Sequence, residues 1–156
     1  LGIASLAAYL RNYGYGVGAL DCIALELTHE DIVEIIREKK PLSIGISATT
    51  YALPASTSLA DRLRKEFPNL LIILGGAHAN VAGIDAAKNI SSIDIVSYHP
   101  EGETVILDIL EKFSDHNFNR ESLLHDLNIM KNIKGIIFKN EDEIISLTSP
   151  AREDVE

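Results

Sequence analysis

The sequence predicts an α/β fold in which a doubly wound parallel sheet carries helices on both faces. Amphipathic helical segments alternate with short aliphatic runs over residues 2–115, an order that is typical of parallel sheets. The run 70–74 consists of five consecutive aliphatic residues, as expected for a strand buried on both faces. Polar turns follow the aliphatic runs, at the positions where open α/β sheets bind their ligands.

Individual elements follow from periodicity and from residues that begin or end helices and strands. Helices are predicted at 2–13, 28–39, 54–67, 81–89 and 103–113, where apolar residues recur every three or four positions. Strands are predicted at 17–20, 42–47, 70–74 and 93–96. After these elements we expect a short helical patch near 123–127 and a β-hairpin formed by 133–139 and 143–149.

The order of these elements has one irregularity. A flavodoxin-like or Rossmann-like sheet begins with a strand that becomes central, whereas this sequence begins with a helix. We therefore expect either that the first strand lies before residue 1, or that another segment, such as one arm of the hairpin, takes its place. We divide the chain into an α/β domain at 1–115 and a connector at 116–156 with a short helix, the hairpin and an acidic exit linker.

Composition limits the classes of function. The net charge of −9 argues against a nucleic-acid or anionic membrane surface. No apolar run approaches the ~20 residues of a membrane-spanning helix. The single cysteine, Cys22, excludes an internal disulfide and an all-cysteine metal site, and we interpret it as a small buried hydrophobic residue. We expect a cytoplasmic protein, and leave open whether it forms a homo-oligomer.

Three polar turns follow three successive strands and should meet at one edge of the sheet. They are Ser-Ala-Thr-Thr-Tyr at 47–51, Gly-Gly-Ala-His at 75–78 and Tyr-His-Pro-Glu-Gly-Glu-Thr at 98–104. Hydroxyls, small side chains and flexible backbone suit a large, mostly neutral ligand. Neither G-x-G-x-x-G nor G-x-x-x-x-G-K-[ST] is present, so these turns do not predict a mononucleotide site.

Five segments carry a resemblance to a known family. They are Leu-Gly-Ile-Ala-Ser-Leu-Ala-Ala-Tyr-Leu at 1–10, Gly-Ile-Ser-Ala-Thr at 45–49, Leu-Gly-Gly-Ala-His-Ala at 74–79, Asp-Ile-Val at 94–96 with Glu-Thr at 103–104, and Gly-Ile-Ile-Phe at 135–138. Together they resemble the amino-terminal cobalamin-binding domain of cobalamin-dependent radical SAM proteins. The likeness covers nearly the whole chain, and the hairpin with Arg152 resembles the connector to the radical SAM barrel.

The resemblance implies that the cofactor is cobalamin. Ser47 and Thr49 would hydrogen-bond the dimethylbenzimidazole end of its nucleotide tail, and Gly75 and Gly76 would let that tail pass close to the backbone. The third turn would line the corrin rim. The residues that the resemblance assigns to the cofactor are Ser47, Ala48, Thr49, Thr50, Tyr51, Gly75, Gly76, Ala77, His78, Tyr98, His99, Glu103 and Thr104.

Two departures from the family pattern refine this expectation. The Asp-x-His-x-x-Gly motif that supplies a lower cobalt ligand in other cobalamin domains is absent, as it commonly is in radical SAM relatives. The resemblance therefore implies a base-off corrinoid with no histidine ligand and no protein metal ligand. An Arg-Gly-Glu-Gly-Glu run is usual in the last turn, but Tyr-His-Pro-Glu-Gly stands at 98–102.

The implied function is a cobalamin-binding module of a radical SAM enzyme of the methyltransferase type. The chain has no C-x₃-C-x₂-C motif, so S-adenosylmethionine and a 4Fe–4S cluster would belong to a downstream domain, and no catalytic residue is assigned here. One alternative is a degenerate domain that serves in docking or oligomerisation. Another is a receiver-like domain, which needs an acidic cluster, whereas only Asp21 lies suitably. His78 could equally be a solvated loop residue, and we interpret His99 as a rim residue rather than an axial ligand.

Overall fold

The computed structural model describes residues 2–139 and 145–148. The helices are α1 Gly2–Asn12, α2 His29–Lys39, α3 Leu53–Glu66, α4 Ala77–Asn89, α5 Gly102–Asp115, α6 Arg120–His125 and α7 Leu127–Asn132. The strands are β1 Ser43–Ser47, β2 Leu71–Gly75, β3 Ile95–Ser97, β4 Ile136–Lys139 and β5 Ile145–Leu147. They form one sheet in the order β1-β2-β3-β4-β5.

The first three strands are parallel, and the predicted hairpin is antiparallel and continues the same sheet. β1 pairs with β2 and β2 with β3 in parallel, whereas β4 is antiparallel to both β3 and β5. The predicted α/β fold is confirmed, with the hairpin making the sheet mixed. Because β1, β2 and β3 run in one direction, their last residues lie at one edge, which we call the carboxyl edge. The division at residue 115 stays a prediction.

Helices cover both faces of the sheet, as a doubly wound fold requires. Alternate residues of β2 point to opposite faces. Ile72 and Leu74 join a core with residues of α2, α3 and α4, whereas Leu71 and Ile73 join a core with residues of α5, α6 and α7. All four side chains are buried. The aliphatic run therefore forms the centre of two hydrophobic layers.

α2 shows how local sequence sets an element boundary. The Thr28 hydroxyl accepts a hydrogen bond from the Asp31 N–H at 3.2 Å, and the Asp31 carboxylate accepts one from the Thr28 N–H at 2.8 Å. This reciprocal pair is a capping box that satisfies two backbone donors at the start of the helix. The helix ends at Lys39, and Lys40 adopts a left-handed conformation.

Two expectations about the start of the sheet are corrected. Residues 17–20 are irregular and form no strand. Val17 instead packs beside Leu10, Leu107 and Leu110 in a small cluster between α1 and α5. The hairpin does not replace the expected first strand, because β4 pairs with β3 at the far side of the sheet. Among the described residues no strand pairs with the outer side of β1, so 17–20 has no neighbour to form a ladder with.

α4 starts earlier than the periodicity predicted, at Ala77 instead of residue 81. It contains a non-helical residue, Ala82, followed by Gly83, which packs tightly on the sheet. A Cβ at Gly83 would lie 2.9 Å from Ile137 Cδ1 and 3.3 Å from Val96 Cγ1. The glycine that weakened the helix prediction therefore allows close approach of α4 to β3 and β4.

A buried ion cluster ties the connector to the sheet at the edge opposite the carboxyl edge. The Asp94 carboxylate, only 3% exposed, accepts hydrogen bonds from Arg64 at 2.7 Å and from Arg120 at 2.6 and 2.9 Å. It also accepts the N–H of Ile72 at 2.9 Å. One carboxylate thus joins α3, β2 and the start of α6. Within 2–139 and 145–148, none of the helices has the combination of length and hydrophobicity that a membrane span requires.

Candidate functional site at the carboxyl edge

The turns after β1 and β2 are hydrogen-bonded to each other. The Ala48 N–H donates to the Gly75 carbonyl at 3.1 Å, and the His78 N–H donates to the Ala48 carbonyl at 3.0 Å. Ala48 is almost fully buried between them. The structure therefore brings the first two predicted turns together as one unit.

His78 supports this junction with its side chain as well as its backbone. It lies in the first turn of α4 and is only 8% exposed, so it is not a solvated loop histidine. Its Nδ1 lies 3.2 Å from the Thr50 hydroxyl. The side chain therefore links the start of α4 to the turn after β1.

Gly76 is required by the junction itself. Its φ of 91° and ψ of −174° lie in a region that only glycine adopts readily. A Cβ at Gly76 would lie 2.8 Å from the Ala48 nitrogen, 2.8 Å from the Ser47 hydroxyl and 2.9 Å from the Ala48 carbonyl oxygen. The space beside Gly76 is thus filled by the chain.

Gly75 and Gly45 have open space beside them. A Cβ at Gly75 would meet only the Ser97 carbonyl oxygen, at 4.0 Å, and one at Gly45 would meet nothing within 4 Å. Gly45 pairs with Ile73 and Ser47 pairs with Gly75, so these residues share the face of the sheet that carries α5. Gly45 and Ser47 are exposed. We call Gly45, Ser47 and Gly75 the small-residue strip.

α1 packs against α5, the helix on the face of the sheet that carries this strip. Leu10 packs against Leu107 and Leu110, and the Ser5 hydroxyl donates to the Glu103 carboxylate at 3.1 Å. Since nothing lies within 4 Å of the Cβ position at Gly45, α1 leaves the strip uncovered. A ligand that follows the strip would meet small side chains and backbone.

The other residues of the first two turns have individual positions. The Thr49 hydroxyl accepts the Ala52 N–H at 3.3 Å and so stabilises the approach to α3. Tyr51 is 97% exposed, and Ala77 is an exposed residue at the start of α4. Exposed Tyr51 and Ala77 can contact a ligand above the carboxyl edge without any rearrangement of the core.

The third turn faces the connector as well as the carboxyl edge. The Tyr98 hydroxyl donates to the Thr148 carbonyl, and burial raises the pKa of this phenol. His99 Nδ1 accepts the Glu101 N–H at 3.2 Å. The Thr104 hydroxyl donates to the Glu101 carbonyl at 3.1 Å, at the start of α5. Three of the four predicted rim residues, Tyr98, His99 and Thr104, therefore already have a polar side-chain atom hydrogen-bonded to the turn or to the hairpin.

Gly45 was not among the residues predicted for the site, although the segment Gly-Ile-Ser-Ala-Thr at 45–49 begins with it. The available signal was a glycine in the interior of a strand, Leu-Ser-Ile-Gly-Ile-Ser, which weakens the strand and often marks close approach of a ligand. The structure adds that no neighbouring side chain accounts for this glycine.

A cleft of about 220 Å³ lies at the opposite edge, beside the Asp94 cluster. Its lining includes Arg120, His125 and Lys139, but Arg120 is already paired with Asp94. Within 2–139 and 145–148, no three histidine, cysteine, aspartate or glutamate side chains gather in a way that could hold a metal ion.

The family model described as the B12 binding domain matches residues 1–108 of this 156-residue chain. The chain belongs to this family. The predicted cofactor, cobalamin, is confirmed by that membership. The match ends within α5, so it includes all three turns of the carboxyl edge and leaves out the hairpin.

Curated relatives extend the likeness over this B12-binding domain and its connector. The anaerobic magnesium-protoporphyrin IX monomethyl ester cyclase of Synechocystis sp. is 31% identical over 159 residues, covering 100% of this chain and 30% of that protein. The enzyme of the same name from Cereibacter sphaeroides is 26% identical, covering 99% and 24%. An uncharacterized methyltransferase of Pyrococcus horikoshii is 28% identical, covering 92% and 28%. The chain spans less than a third of these relatives.

A solved structure shows the same fold. The cobalamin-dependent S-adenosylmethionine radical enzyme OxsB, with aqua-cobalamin and S-adenosylmethionine bound, superposes with a TM-score of 0.78 and 16% identity. The likeness covers 98% of this chain and 20% of that one. The hairpin is thus part of the shared architecture, since a 98% overlap extends well beyond residue 108.

The residues present fit the cofactor at the small-residue strip. Cobalamin carries a long nucleotide tail, and a Cβ at Gly45 or Gly75 would project into the space beside the strip. Ser47 is an exposed residue, and its hydroxyl can hydrogen-bond a polar ligand group. The strip thus has room for a group to lie close to the backbone, which the filled space at Gly76 does not have.

Proposed function

We propose that this domain holds cobalamin with the nucleotide tail along the small-residue strip and presents the corrin to a radical SAM domain of the same enzyme. The observation that carries the proposal is the uncovered strip on the α5 side of β1 and β2. Gly45, Ser47 and Gly75 combine open space, a hydroxyl and accessible backbone at the place where open α/β sheets bind ligands.

The chain's own residues bind and orient, whereas the cofactor carries the reactive chemistry. Bound cobalamin supplies a cobalt centre that can carry a methyl group, which supports an enzyme of the methyltransferase type. The name of the Pyrococcus horikoshii relative points to the same reaction class. Gly45 and Gly75 leave room for the tail, Ser47 offers it a hydrogen bond, and the Gly76 junction holds the two turns in register.

We also propose that no histidine of the chain ligates cobalt. His99 Nδ1 accepts the Glu101 N–H, so in the neutral ring the proton is on Nε2, which is then a donor. A metal-ligating imidazole has the reverse arrangement, with one nitrogen on the metal and the other donating. His78 is buried and faces Thr50. Both histidines at the carboxyl edge are thus committed to other partners.

The experiment is the substitution Gly45→Val, read by uptake of hydroxocobalamin. Wild-type and variant protein are incubated with excess hydroxocobalamin and gel-filtered, and the corrin absorbance that co-elutes with protein is measured. We expect near-stoichiometric uptake by the wild type and loss of uptake by Gly45→Val, because valine would occupy the strip. Gly18→Val is the matched control, since a Cβ there also meets nothing within 4 Å and lies outside the three turns.

Two results would contradict the proposal. Normal uptake by Gly45→Val would show that the tail does not follow the strip. No uptake by the wild type would instead favour the degenerate docking or oligomerisation domain. The absence of a histidine ligand is tested by electron paramagnetic resonance of the bound Co(II) form, in which His99→Ala should leave the nitrogen splitting pattern unchanged.

A further inference from the structure

The third turn of the carboxyl edge is fastened to both ends of the hairpin through a single residue. The Tyr98 N–H donates to the carbonyl of Gly135, just before β4, at 3.1 Å. The Tyr98 hydroxyl donates to the carbonyl of Thr148, just after β5. Backbone and side chain of Tyr98 thus connect the end of β3 to the entry and the exit of the hairpin.

Close packing strengthens the connection at the entry of the hairpin. Gly135 has a φ of 74°, and a Cβ there would lie 2.8 Å from His99 Cβ and 3.2 Å from Val105 Cγ2. The backbone before β4 therefore lies directly against the third turn and against α5. Any displacement of the turn at 98–104 must be accommodated by the hairpin.

Thr148 provides the connection at the exit of the hairpin. Its N–H donates to the Ile136 carbonyl at 2.9 Å, and its hydroxyl accepts the Ile136 N–H at 2.9 Å. Thr148 is 7% exposed. The Tyr98 hydroxyl therefore binds a backbone position that is itself fixed to β4.

The Tyr98 phenol is well suited to a permanent donor role. Tyr98 Cβ lies 3.5 Å from the Cβ position of Gly83, so the side chain packs between α4 and the hairpin. Burial raises its pKa, and the hydroxyl keeps its proton throughout the neutral range. The Tyr98 hydroxyl donates its hydrogen bond to the Thr148 carbonyl, so it is not available to donate one to the corrin.

We propose that Tyr98 is a positioning residue that couples occupancy of the cobalamin site to the order of the hairpin's exit at Thr148. The inference rests on the proposed function, because it takes the turn at 98–104 as the corrin rim. A ligand that holds this turn in its bonded position also favours the Tyr98–Thr148 bond. By linkage, the factor by which the bound ligand favours that bond is also the factor by which the formed bond strengthens ligand binding.

The test compares amide hydrogen exchange at Thr148 and Ile136 with and without saturating hydroxocobalamin. In the wild type we expect the cofactor to slow exchange at both amides. Tyr98→Phe keeps the ring and removes the hydroxyl, so exchange at Thr148 without cofactor should be faster by about 2- to 12-fold, as for one lost hydrogen bond. The slowing caused by cobalamin should then disappear, and cobalamin affinity should fall by the factor by which cobalamin slows exchange at Thr148 in the wild type.

Two further variants make the result specific. Thr148→Val removes the hydroxyl that accepts the Ile136 N–H but keeps the bond from the Thr148 N–H to the Ile136 carbonyl. It weakens the exit without altering the third turn, and it should reduce the effect of cobalamin on exchange at Ile136. Tyr13→Phe removes a hydroxyl from an exposed tyrosine near the end of α1 and should behave as the wild type. Exchange at Ile73, in the centre of the sheet, reports whether each variant is folded.

The outcomes separate the two proposals. A wild type that binds hydroxocobalamin without slower exchange at Thr148 overturns the coupling and leaves the proposed function intact. A folded Tyr98→Phe protein that keeps the full effect of cobalamin overturns it as well. A wild type that takes up no cobalamin overturns the proposed function and the coupling together.

Discussion

Replacement of Gly76 by alanine tests whether the junction between the first two turns is correctly described. Its backbone lies at φ 91° and ψ −174°, and the added Cβ would lie 2.8–2.9 Å from Ser47 and Ala48 atoms. Two of the three nearest atoms are backbone atoms of Ala48, which cannot rotate away. Alanine must therefore change both its own conformation and the position of the turn after β1.

Both contributions to the cost of Gly76→Ala can be estimated. A non-glycine residue held in this backbone region costs on the order of 1–3 kcal/mol. Forcing an extra carbon into a filled space typically costs about 1–3 kcal/mol. The free energy of unfolding should therefore fall by roughly 2–6 kcal/mol, a large part of the ~5–15 kcal/mol that stabilises a typical domain.

Urea unfolding followed by circular dichroism measures the change. Gly75→Ala is the matched control, because its Cβ would meet only the Ser97 carbonyl oxygen, at 4.0 Å, and its backbone needs no positive φ. We expect the control to stay within about 1 kcal/mol of the wild type, as is usual outside packed or strained positions. If Gly76→Ala is as stable as Gly75→Ala, the description of the junction is wrong.

Two further substitutions test the fold and its response to pH. Asp94→Asn should lower the free energy of unfolding by about 3–5 kcal/mol, because Arg64 and Arg120 lose their buried counter-charge, whereas the exposed Asp85→Asn should change it little in the same urea experiment. Thr28→Ala should cost about 1 kcal/mol through loss of the N-cap. Hydrogen bonds from the Thr28 side chain and backbone lower the pKa of Asp31. The stability that these bonds to the ionised carboxylate provide is therefore present above the ordinary pKa of 3.8 and is lost as the pH falls through the lowered value. In Thr28→Ala the urea midpoint should therefore fall less steeply with decreasing pH in the acid range than it does in the wild type.

The sequence was sufficient to predict elements whose determinants are local. The five aliphatic residues at 70–74 favour a doubly buried strand, found as β2 at Leu71–Gly75, and Thr28 with Asp31 specifies the start of α2 within one turn. The common edge of the three turns follows from parallel strands alone. These features depend on residues close in sequence or on a topological rule.

Features that depend on distant partners were not predictable. Residues 17–20 form a short apolar run that includes the β-branched Val17, but a strand needs a neighbour, and none pairs with them among the described residues. Asp94 looks like an isolated acid after an isoleucine, and nothing local shows that Arg64 and Arg120 converge on it from α3 and α6. Tertiary contacts decided both outcomes.

The candidate site shows the same division within a single pair of residues. Gly-Gly at 75–76 predicts a turn with close approach of another group to the backbone, and the structure shows such an approach at Gly76. At Gly76 the approaching group is Ser47 and Ala48 of the same chain, whereas at Gly75 the space remains open. The sequence does not distinguish a glycine required by a turn from one with open space beside it, because the distinction depends on which atoms of the folded chain lie near the Cβ position.

Gly45 extends this reasoning to the energetics of the empty domain. A glycine inside a strand costs roughly 0.5–1 kcal/mol of stability relative to alanine. At Gly45, however, no neighbouring atom would clash with a side chain. Valine at this position should therefore raise the free energy of unfolding, since β-branched residues favour strands. The same substitution should abolish cobalamin uptake. If Gly45 serves to leave room for a ligand, Gly45→Val should raise stability and abolish cobalamin binding. If Gly45 is instead required by the fold, the substitution should lower both stability and binding.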